Sequence, residues 1–194
     1  MAEQYFAKRP SAESRPVEIE YTYRGHTVRL TTDSGVFSRG DVDEGSALLL
    51  NSLPALTGRV LDLGCGAGVI GVCVGKANRV ELTQSDVNER ALALTRENLA
   101  RNGVAGNVVE SDGFSALSGA FDTILTNPPI RAGKAVIYRM FAEAREHLAA
   151  GGALYLVIRK QQGAESAKKY LETLFSSVEM IERKKGYWIL KCER

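Results

Sequence analysis

The amino-acid sequence predicts a doubly wound α/β fold, in which a mostly parallel sheet is covered by helices on both faces. From residue 59 onward, short apolar segments alternate with amphipathic helical segments, an order typical of parallel strands joined by right-handed crossovers. The apolar segments are continuous, as in strands whose two faces are both covered. With 194 residues, of which 44% are hydrophobic and 25% charged, the chain is long enough for one such domain.

Two segments that alternate between apolar and polar residues precede this region. They cover residues 17–23 and 26–32 and flank Arg24-Gly25, which predicts a β-hairpin. A helix is expected over residues 43–53, because Pro54 cannot continue it. The hairpin and this helix are therefore expected as additions to the N-terminal side of the sheet.

The alternating region itself contains five strand segments and four helical segments. Strands are expected at residues 59–63, 80–83, 107–110, 121–126 and 153–158. Helices are expected at residues 69–76, 88–102, 136–148 and 164–174, the third of them ended by Gly151-Gly152. A closing pair of strands is expected at residues 178–181 and 187–190, around a Lys-Lys-Gly turn.

The composition excludes several classes of protein. No apolar run approaches the roughly 18–20 residues that span a bilayer, and the N-terminal residues lack the apolar stretch of a secretory signal. Three cysteines do not make a disulfide framework, so the expected compartment is the reducing cytoplasm. Two histidines and no metal-ligand spacing predict no metal site. We expect an N-terminal arm over residues 1–16 and a single domain over residues 17–194.

The first strand of the alternating region ends in a glycine-rich loop, Gly64-Cys65-Gly66-Ala67-Gly68. Glycines at every second position allow a sharp turn and bring backbone N–H groups close to a ligand. The spacing formally satisfies the dinucleotide fingerprint, but the carboxylate of Asp62 would oppose a pyrophosphate. That carboxylate can instead take an ammonium group, while the start of the next helix favours an anion. The methionine part of S-adenosylmethionine (SAM) carries both groups and suits this loop.

Acidic residues end the next two strands, where ligands of doubly wound sheets bind. Asp86, followed by Val87, can accept hydrogen bonds from both hydroxyls of a ribose; the alternative is a carboxylate favoured by the following helix dipole. Asp112, followed by Gly113, can accept from the exocyclic amine of adenine; the alternative is an ordinary turn aspartate. Both positions are consistent with a bound nucleoside.

The strand at residues 121–126 ends in Asn127-Pro128-Pro129-Ile130. Two prolines cannot continue a strand ladder, so they fix a rigid loop at the edge of the sheet where ligands bind. The Asn127 amide oxygen and the Pro128 carbonyl, predicted to be free, can hold a planar amine and turn its lone pair toward a methyl donor. Ile130 can pack on an aromatic ring, and Arg131 can stack or reach a phosphate.

The glycine loop resembles motif I of class I SAM-dependent methyltransferases, and the Asn-Pro-Pro-Ile motif looks like the catalytic motif of those that methylate exocyclic or amide nitrogens. Residues 32–38 and 43–46 resemble the N-terminal segment of the small-domain methyltransferase group, which includes bacterial 16S and 23S rRNA guanine-N2 methyltransferases. The resemblance extends from about Tyr5 to the C-terminus, and residues 160–164 and 186–187 are similar to a single-domain branch.

The resemblance implies a Rossmann-like, seven-stranded sheet with an antiparallel last pair. It implies cofactor contacts from Asp62, Gly64, Gly66, Asp86 and Asp112, with Phe37 and Ser38 near the methionine end. Asn127 to Ile130 would receive the target amine. The function implied is methylation of the N2 amine of guanine in rRNA, with a protein-glutamine or small-molecule N-methyltransferase and a non-catalytic RNA- or nucleotide-binding module as alternatives.

Two departures from the family pattern bear on the substrate. Ile130 stands where glutamine- and adenine-directed enzymes usually carry an aromatic residue. The longer rRNA enzymes also carry an extra N-terminal domain, so RNA contacts are expected from the arm, from self-association or from the basic residues 159–194. That segment has nine basic and five acidic side chains, including Arg159 and Lys160. Ribosomal RNA or a ribosomal subunit is the expected partner, and both a monomer and a homodimer are consistent with the sequence.

Overall fold

The computed structural model describes residue 8 and residues 11–194, so most of the predicted arm and Tyr5 lie outside the described residues. The first two strands, β1 (Val17–Tyr23) and β2 (His26–Thr32), pair as the predicted hairpin. Its turn residues Arg24 and Gly25 both have positive φ, as a two-residue type I′ turn requires.

The hairpin is attached to the rest of the domain by two asparagines of helix α3 (Glu89–Asn102). The Asn98 amide donates to Thr31 O and accepts from Thr31 N, at 2.9 and 2.7 Å. One helical turn later, the Asn102 amide makes the same pair of bonds with Arg29, at 2.8 and 2.9 Å. At Arg29 and Thr31, the outward-facing backbone groups of β2 are thus paired with side chains.

The main sheet has seven strands in the order β5-β4-β3-β6-β7-β9-β8. The first five in this order are parallel, and the last two join antiparallel, which confirms the predicted sheet. The strand order reverses between β3 and β6, so the loops that follow these two strands leave a crevice at the carboxyl edge. The strands are β3 (Gly58–Leu63), β4 (Val80–Asp86), β5 (Asn107–Glu110), β6 (Phe121–Thr126), β7 (Leu148–Arg159), β8 (Ser177–Lys184) and β9 (Tyr187–Glu193).

Helices cover both faces of this sheet. Neighbouring strand residues belong to opposite apolar clusters: Val60 packs with the hairpin, α1 and α2, whereas Leu61 packs with α4 and α5. This alternation explains why the central strands are apolar throughout. The helices are α1 (Glu44–Ser52), α2 (Val69–Ala77), α3, α4 (Lys134–Glu146) and α5 (Ala164–Leu174).

Four of the predicted strands, β4, β7, β8 and β9, are longer in the structure than the sequence predicted, and one predicted helix end was wrong. The periodic apolar face that predicted a helix over residues 136–148 includes Leu148, but α4 ends at Glu146 and Leu148 begins β7. Leu148 is fully buried in its strand, so it satisfies the helical spacing without being helical. Gly151 and Gly152 lie inside β7, next to a register shift in its pairing with β6, and do not end the helix.

Candidate functional site

A cavity of about 590 Å³ opens at the carboxyl edge of the sheet, within the range of small-molecule sites. It lies where the sequence placed the function, just after β3, β4, β5 and β6. We refer to it as the carboxyl-edge cavity. Its wall includes these predicted site residues: Phe37, Ser38, Gly64, Cys65, Gly66, Asp86, Val87, Asp112, Gly113, Asn127 and Pro129.

The glycine loop is held against the end of β4 by its own backbone. Gly64 N and Cys65 N both donate to Ser85 O, at 2.8 and 2.9 Å, and Gly66 N donates to Asp86 Oδ2 at 2.9 Å. Gly64, Gly66 and Gly68 all have positive φ, which the sharp turn requires. The Cys65 side chain is buried against Thr95, and burial raises the pKa of its thiol well above its usual value. Cys65 therefore stays protonated and serves as a small apolar residue.

Asp62 and Gly68 lie behind this loop and do not line the cavity. Asp62 is fully buried, and its Oδ2 accepts hydrogen bonds from Gly71 N at 2.8 Å and from Gln84 Nε2 at 3.0 Å. Burial raises the pKa of Asp62 to about 7, against the opposing effect of these two bonds. The structure thus shows Asp62 holding the loop to α2, and its contact with an ammonium group stays a prediction.

Asp86 and Asp112 lie at the cavity wall in different environments. Asp86 accepts from Gly66 N and Asn88 N, and burial raises its pKa although these bonds oppose the shift. Asp112 is exposed and pairs with Arg139 at 2.6 Å. Both carboxylates line the cavity, and Asp112 already has a cationic partner; their contacts with a nucleoside stay predictions.

Asn127 is held by the start of α1. Its Nδ2 lies 3.0 Å from Asp43 Oδ2 and 3.0 Å from Ser46 Oγ, and Asp43 also caps α1 by accepting from Ser46 N at 2.9 Å. Asp43 and Ser46 line the cavity too. The sequence reasoning missed them as site residues because they lie 84 and 81 positions from Asn127. The sequence signal for them was the position of Asp43 at the start of a predicted helix, in residues 43–46, which resemble the small-domain methyltransferase group.

The two prolines adopt a tighter turn than predicted. Pro129 has φ −74° and ψ 78°, and Ile130 N donates to Pro128 O at 2.8 Å, the pattern of an inverse γ-turn. The Pro128 carbonyl was predicted to be free, and that was wrong, because one of its lone pairs is used inside the motif. Pro128 is buried and is not among the residues that line the cavity, so a contact between its second lone pair and a substrate amine stays a prediction.

The predicted substrate contacts lie outside the cavity wall. Ile130 and the exposed Arg131 belong to a short 3₁₀ turn after the prolines. Arg159, at the carboxyl end of β7, stacks over the Tyr187 ring at 4.5 Å, and Lys160 lies 3.6 Å from Glu165. Because β7 lies beside β6, Arg159 and Lys160 share the sheet edge with Asn127.

The described part of the chain contains no helix long and apolar enough to cross a membrane. Across the same residues, no three His, Cys, Asp or Glu side chains come together in a way that could hold a metal ion.

The fold and the cavity are those of a Rossmann-like domain with a ligand site at the carboxyl edge of its sheet, and the family match identifies its class as methyltransferase. Residues 27–191 match the methyltransferase small domain family, and the chain belongs to that family. A relative from Bacillus subtilis (strain 168), named "Uncharacterized protein YbxB", is 43% identical over 200 aligned residues that cover both chains in full.

The rRNA methyltransferases that this chain matches are longer proteins. The ribosomal RNA small subunit methyltransferase C of Vibrio cholerae is 36% identical over 180 residues, which is 89% of this chain and 51% of the relative. The solved T. thermophilus 16S rRNA N2 methyltransferase RsmC, in complex with AdoMet and guanosine, is 26% identical with a TM-score of 0.84, over 94% of this chain and 51% of that one. The chain thus spans about half the length of the rRNA methyltransferases it matches.

Proposed function

We propose that this protein binds SAM in the carboxyl-edge cavity and methylates the exocyclic N2 amine of guanine in ribosomal RNA. The observation that carries the proposal is the Asn127 amide at the cavity wall, whose nitrogen is engaged by Asp43 and Ser46. Its oxygen is the group left to accept a hydrogen bond from a substrate amine. The family membership and the names of the matched rRNA methyltransferases support the same substrate class.

The residues of the cavity fit SAM. The volume of about 590 Å³ is ample for a nucleoside with an amino-acid tail, and the wall carries the polar groups such a ligand needs. Asp86 would accept from the ribose hydroxyls and Asp112 from the adenine amine, while Phe37 and Ser38 border the methionine end. SAM supplies an electrophilic methyl group on a sulfonium.

Asn127 and Pro128 would act on the target amine. Their two oxygens would each accept one N–H of the amine, which orients the nitrogen lone pair toward the methyl group. No base is required before transfer. The N–C bond would form as the bond between the methyl carbon and the sulfonium sulfur breaks, S-adenosylhomocysteine would leave, and the methylated nitrogen would then lose its proton to water. The contribution of the protein is alignment and exclusion of water, effects that supply up to roughly 7–11 kcal/mol in well-oriented systems.

RNA would be held beside this pocket by the cations that share the sheet edge. Arg131, Arg159 and Lys160 are the candidates, and a guanine within a duplex would be flipped into the cavity at a cost of a few kcal/mol. The proposal includes a single catalytic domain over residues 17–194 with an N-terminal arm over residues 1–16, acting on rRNA in the cytoplasm.

The test is transfer of labelled methyl from SAM to separated 16S rRNA, 23S rRNA and ribosomal proteins from cells that lack this gene. The expected product is N2-methylguanosine in one rRNA, identified by mass spectrometry of digested nucleosides. Label in protein alone, or no SAM binding by calorimetry, would refute the proposal.

A variant of Asn127 links the activity to the site. Asn127→Ala is expected to lower methyl transfer at least about 100-fold, since a misplaced reactant costs that much, while its affinity for SAM stays near that of the wild type. Asn51→Ala, at an exposed asparagine of α1, is the matched control and should retain full activity. Equal turnover of the two variants would contradict the catalytic assignment.

A further inference from the structure

We infer that Asp43 is a positioning residue, which fixes the orientation of the Asn127 amide so that its oxygen faces the substrate amine. The inference rests on the proposed function, because that function assigns Asn127 to the amine.

The hydrogen bonds at Asn127 determine which way its amide points. A carboxylate can only accept hydrogen bonds, so the amide atom 3.0 Å from Asp43 Oδ2 must be the NH₂ group. The second N–H of that group reaches Ser46 Oγ at 3.0 Å. Both donors of Asn127 are therefore used, and a flipped amide would set its oxygen against the Asp43 carboxylate. Without Asp43, the Ser46 hydroxyl could serve either orientation, since it both donates and accepts.

The Asp43 carboxylate is itself held in place by the start of α1. As the N-cap residue it accepts from Ser46 N at 2.9 Å with the same oxygen that binds Asn127. Gly45 makes this arrangement possible: a Cβ there would lie 2.9 Å from Asp43 Oδ2 and 2.8 Å from the Tyr187 ring. A side chain at position 45 would push against both neighbours, so the carboxylate sits in a slot only a glycine leaves open.

A charged partner also changes what the amide can do. A hydrogen bond from an amide N–H to a carboxylate is stronger than one to a neutral oxygen. Because hydrogen-bonded groups polarise one another, the Asn127 oxygen becomes a better acceptor for the amine. In the proposed complex, the negative charge of Asp43 would be separated by the Asn127 amide from the nitrogen that becomes positive as it gains the methyl group. Orientation and charge thus favour the same step.

Two substitutions separate positioning from helix capping. Serine and asparagine both cap helices well, but only asparagine is long enough to keep an acceptor at Asn127. Asp43→Asn is expected to lower kcat by no more than about tenfold, because a neutral bond is roughly half as strong as a charged one. Asp43→Ser is expected to lower kcat by about 10- to 100-fold, since it removes a hydrogen bond to a charged group. The KM for rRNA and the affinity for SAM should change little in either variant.

A spectroscopic measurement reads the hydrogen bond directly. In ¹H–¹⁵N spectra, the side-chain NH₂ pair that disappears in Asn127→Ala identifies Asn127. That pair should be shifted and slow to exchange in the wild type and in Asp43→Asn, and should collapse toward free-amide values in Asp43→Ser. In the Asn127→Ala background, Asp43→Ser should change kcat less than about twofold, because residues that act through one another are not additive.

The possible failures are distinguishable. Equal kcat values and equal NH₂ resonances in Asp43→Asn and Asp43→Ser would mean that Asp43 only caps α1, and the inference would be overturned. If the wild type transfers no methyl to rRNA but the NH₂ pair responds to Asp43 as expected, the proposed function fails while the positioning of Asn127 by Asp43 stands.

Discussion

The two sides of the carboxyl-edge cavity are built in different ways. The side proposed to hold the cofactor is built around the glycine loop and Asp86. These lie in one continuous β3–α2–β4–α3 segment, and its bonds join residues 9 to 31 positions apart. The amine side, formed by Asn127 with Asp43 and Ser46, joins residues 84 and 81 positions apart. One side is thus a local folding unit and the other is assembled from distant segments.

This difference decides what each side depends on. The glycine loop is supported by residues close to it in the sequence. Asp62 and Gln84 are bonded to each other beneath the loop. On its other side, Thr95 and Asn98 of α3 donate to Gly66 O and Ala67 O, at 2.9 and 2.8 Å. The Asn127 amide depends on how α1 packs against the sheet. Substitutions in the glycine loop should therefore affect mainly the stability of the protein, whereas substitutions around Asn127 should affect mainly its turnover.

The largest expected effect is the pH dependence of folding stability that Asp62 causes, and its sign is opposite to that of an aspartate with a lowered pKa. Its pKa of about 7 in the folded protein exceeds the usual 3.8, so the folded state binds more protons between those values. The contribution of Asp62 to stability is complete below about pH 4 and is lost as the pH rises through about 7. The rise of the Asp62 pKa from 3.8 to about 7 corresponds to up to about 4 kcal/mol in the free energy of unfolding.

Asp62→Asn removes this loss, because an amide oxygen can accept from both Gly71 N and Gln84 Nε2. The variant should unfold at higher urea concentration than the wild type at pH 8, and the advantage should shrink toward pH 4. Asp41→Asn, at an exposed position, is the control and should stay within about 0.5 kcal/mol of the wild type. A wild type that is more stable than Asp62→Asn at pH 8 would show that the buried charge is favourable. A contact between Asp62 and the ammonium group of SAM predicts that saturating SAM reduces the difference in stability between the wild type and Asp62→Asn at pH 8.

The next effect tests how tightly the loop unit is packed. In Gly71→Ala, the new Cβ would overlap the buried amide of Gln84, which holds both Asp62 and Gly68 O. Overpacking of this kind costs about 1–3 kcal/mol, and a lower melting temperature with weaker SAM binding should follow. Gly103→Ala, at the open end of α3, should also cost about 1–2 kcal/mol through its positive φ. Its SAM affinity should be unchanged; a loss equal to that of Gly71→Ala would contradict the local-unit description.

The smallest effect concerns RNA affinity on the amine side. Arg159→Ala should weaken rRNA binding modestly and reduce the slope of log K against log salt by about 1, as removal of one phosphate contact does. The measurement is filter binding across a potassium chloride series. Arg79→Ala removes an exposed arginine next to the start of β4, at the opposite edge of the sheet, and should leave the slope unchanged. The same slope change in both variants would mean that no local contact is involved.

The fold and the position of the cavity followed from the sequence, because their signals are local. The hairpin alternation, the strand–helix rhythm and the glycine loop each lie within one short segment, and a parallel sheet brings strand ends to one edge. The sequence therefore predicted the wall formed after β3, β4, β5 and β6. The same local rules failed at Leu148, since a buried residue at helical spacing can equally begin a strand.

The surroundings of Asn127 could be predicted from the sequence only in part. The Asn127 motif was visible, but its partners Asp43 and Ser46 depend on where α1 docks, which no local pattern states. The used lone pair of Pro128 depends on the ψ of Pro129, a single torsion that the residue types do not fix.

The attachment of the hairpin has a consequence for how molecules of this protein meet one another. The unpaired edge of a two-stranded sheet ordinarily offers a row of free amides and carbonyls on which a second chain can build a strand. Here Asn98 and Asn102 occupy those positions on β2 at Thr31 and Arg29. The two asparagines take the place of a third strand at these positions, so a second chain cannot pair with β2 there. Aggregation that starts by strand addition at this edge is therefore disfavoured.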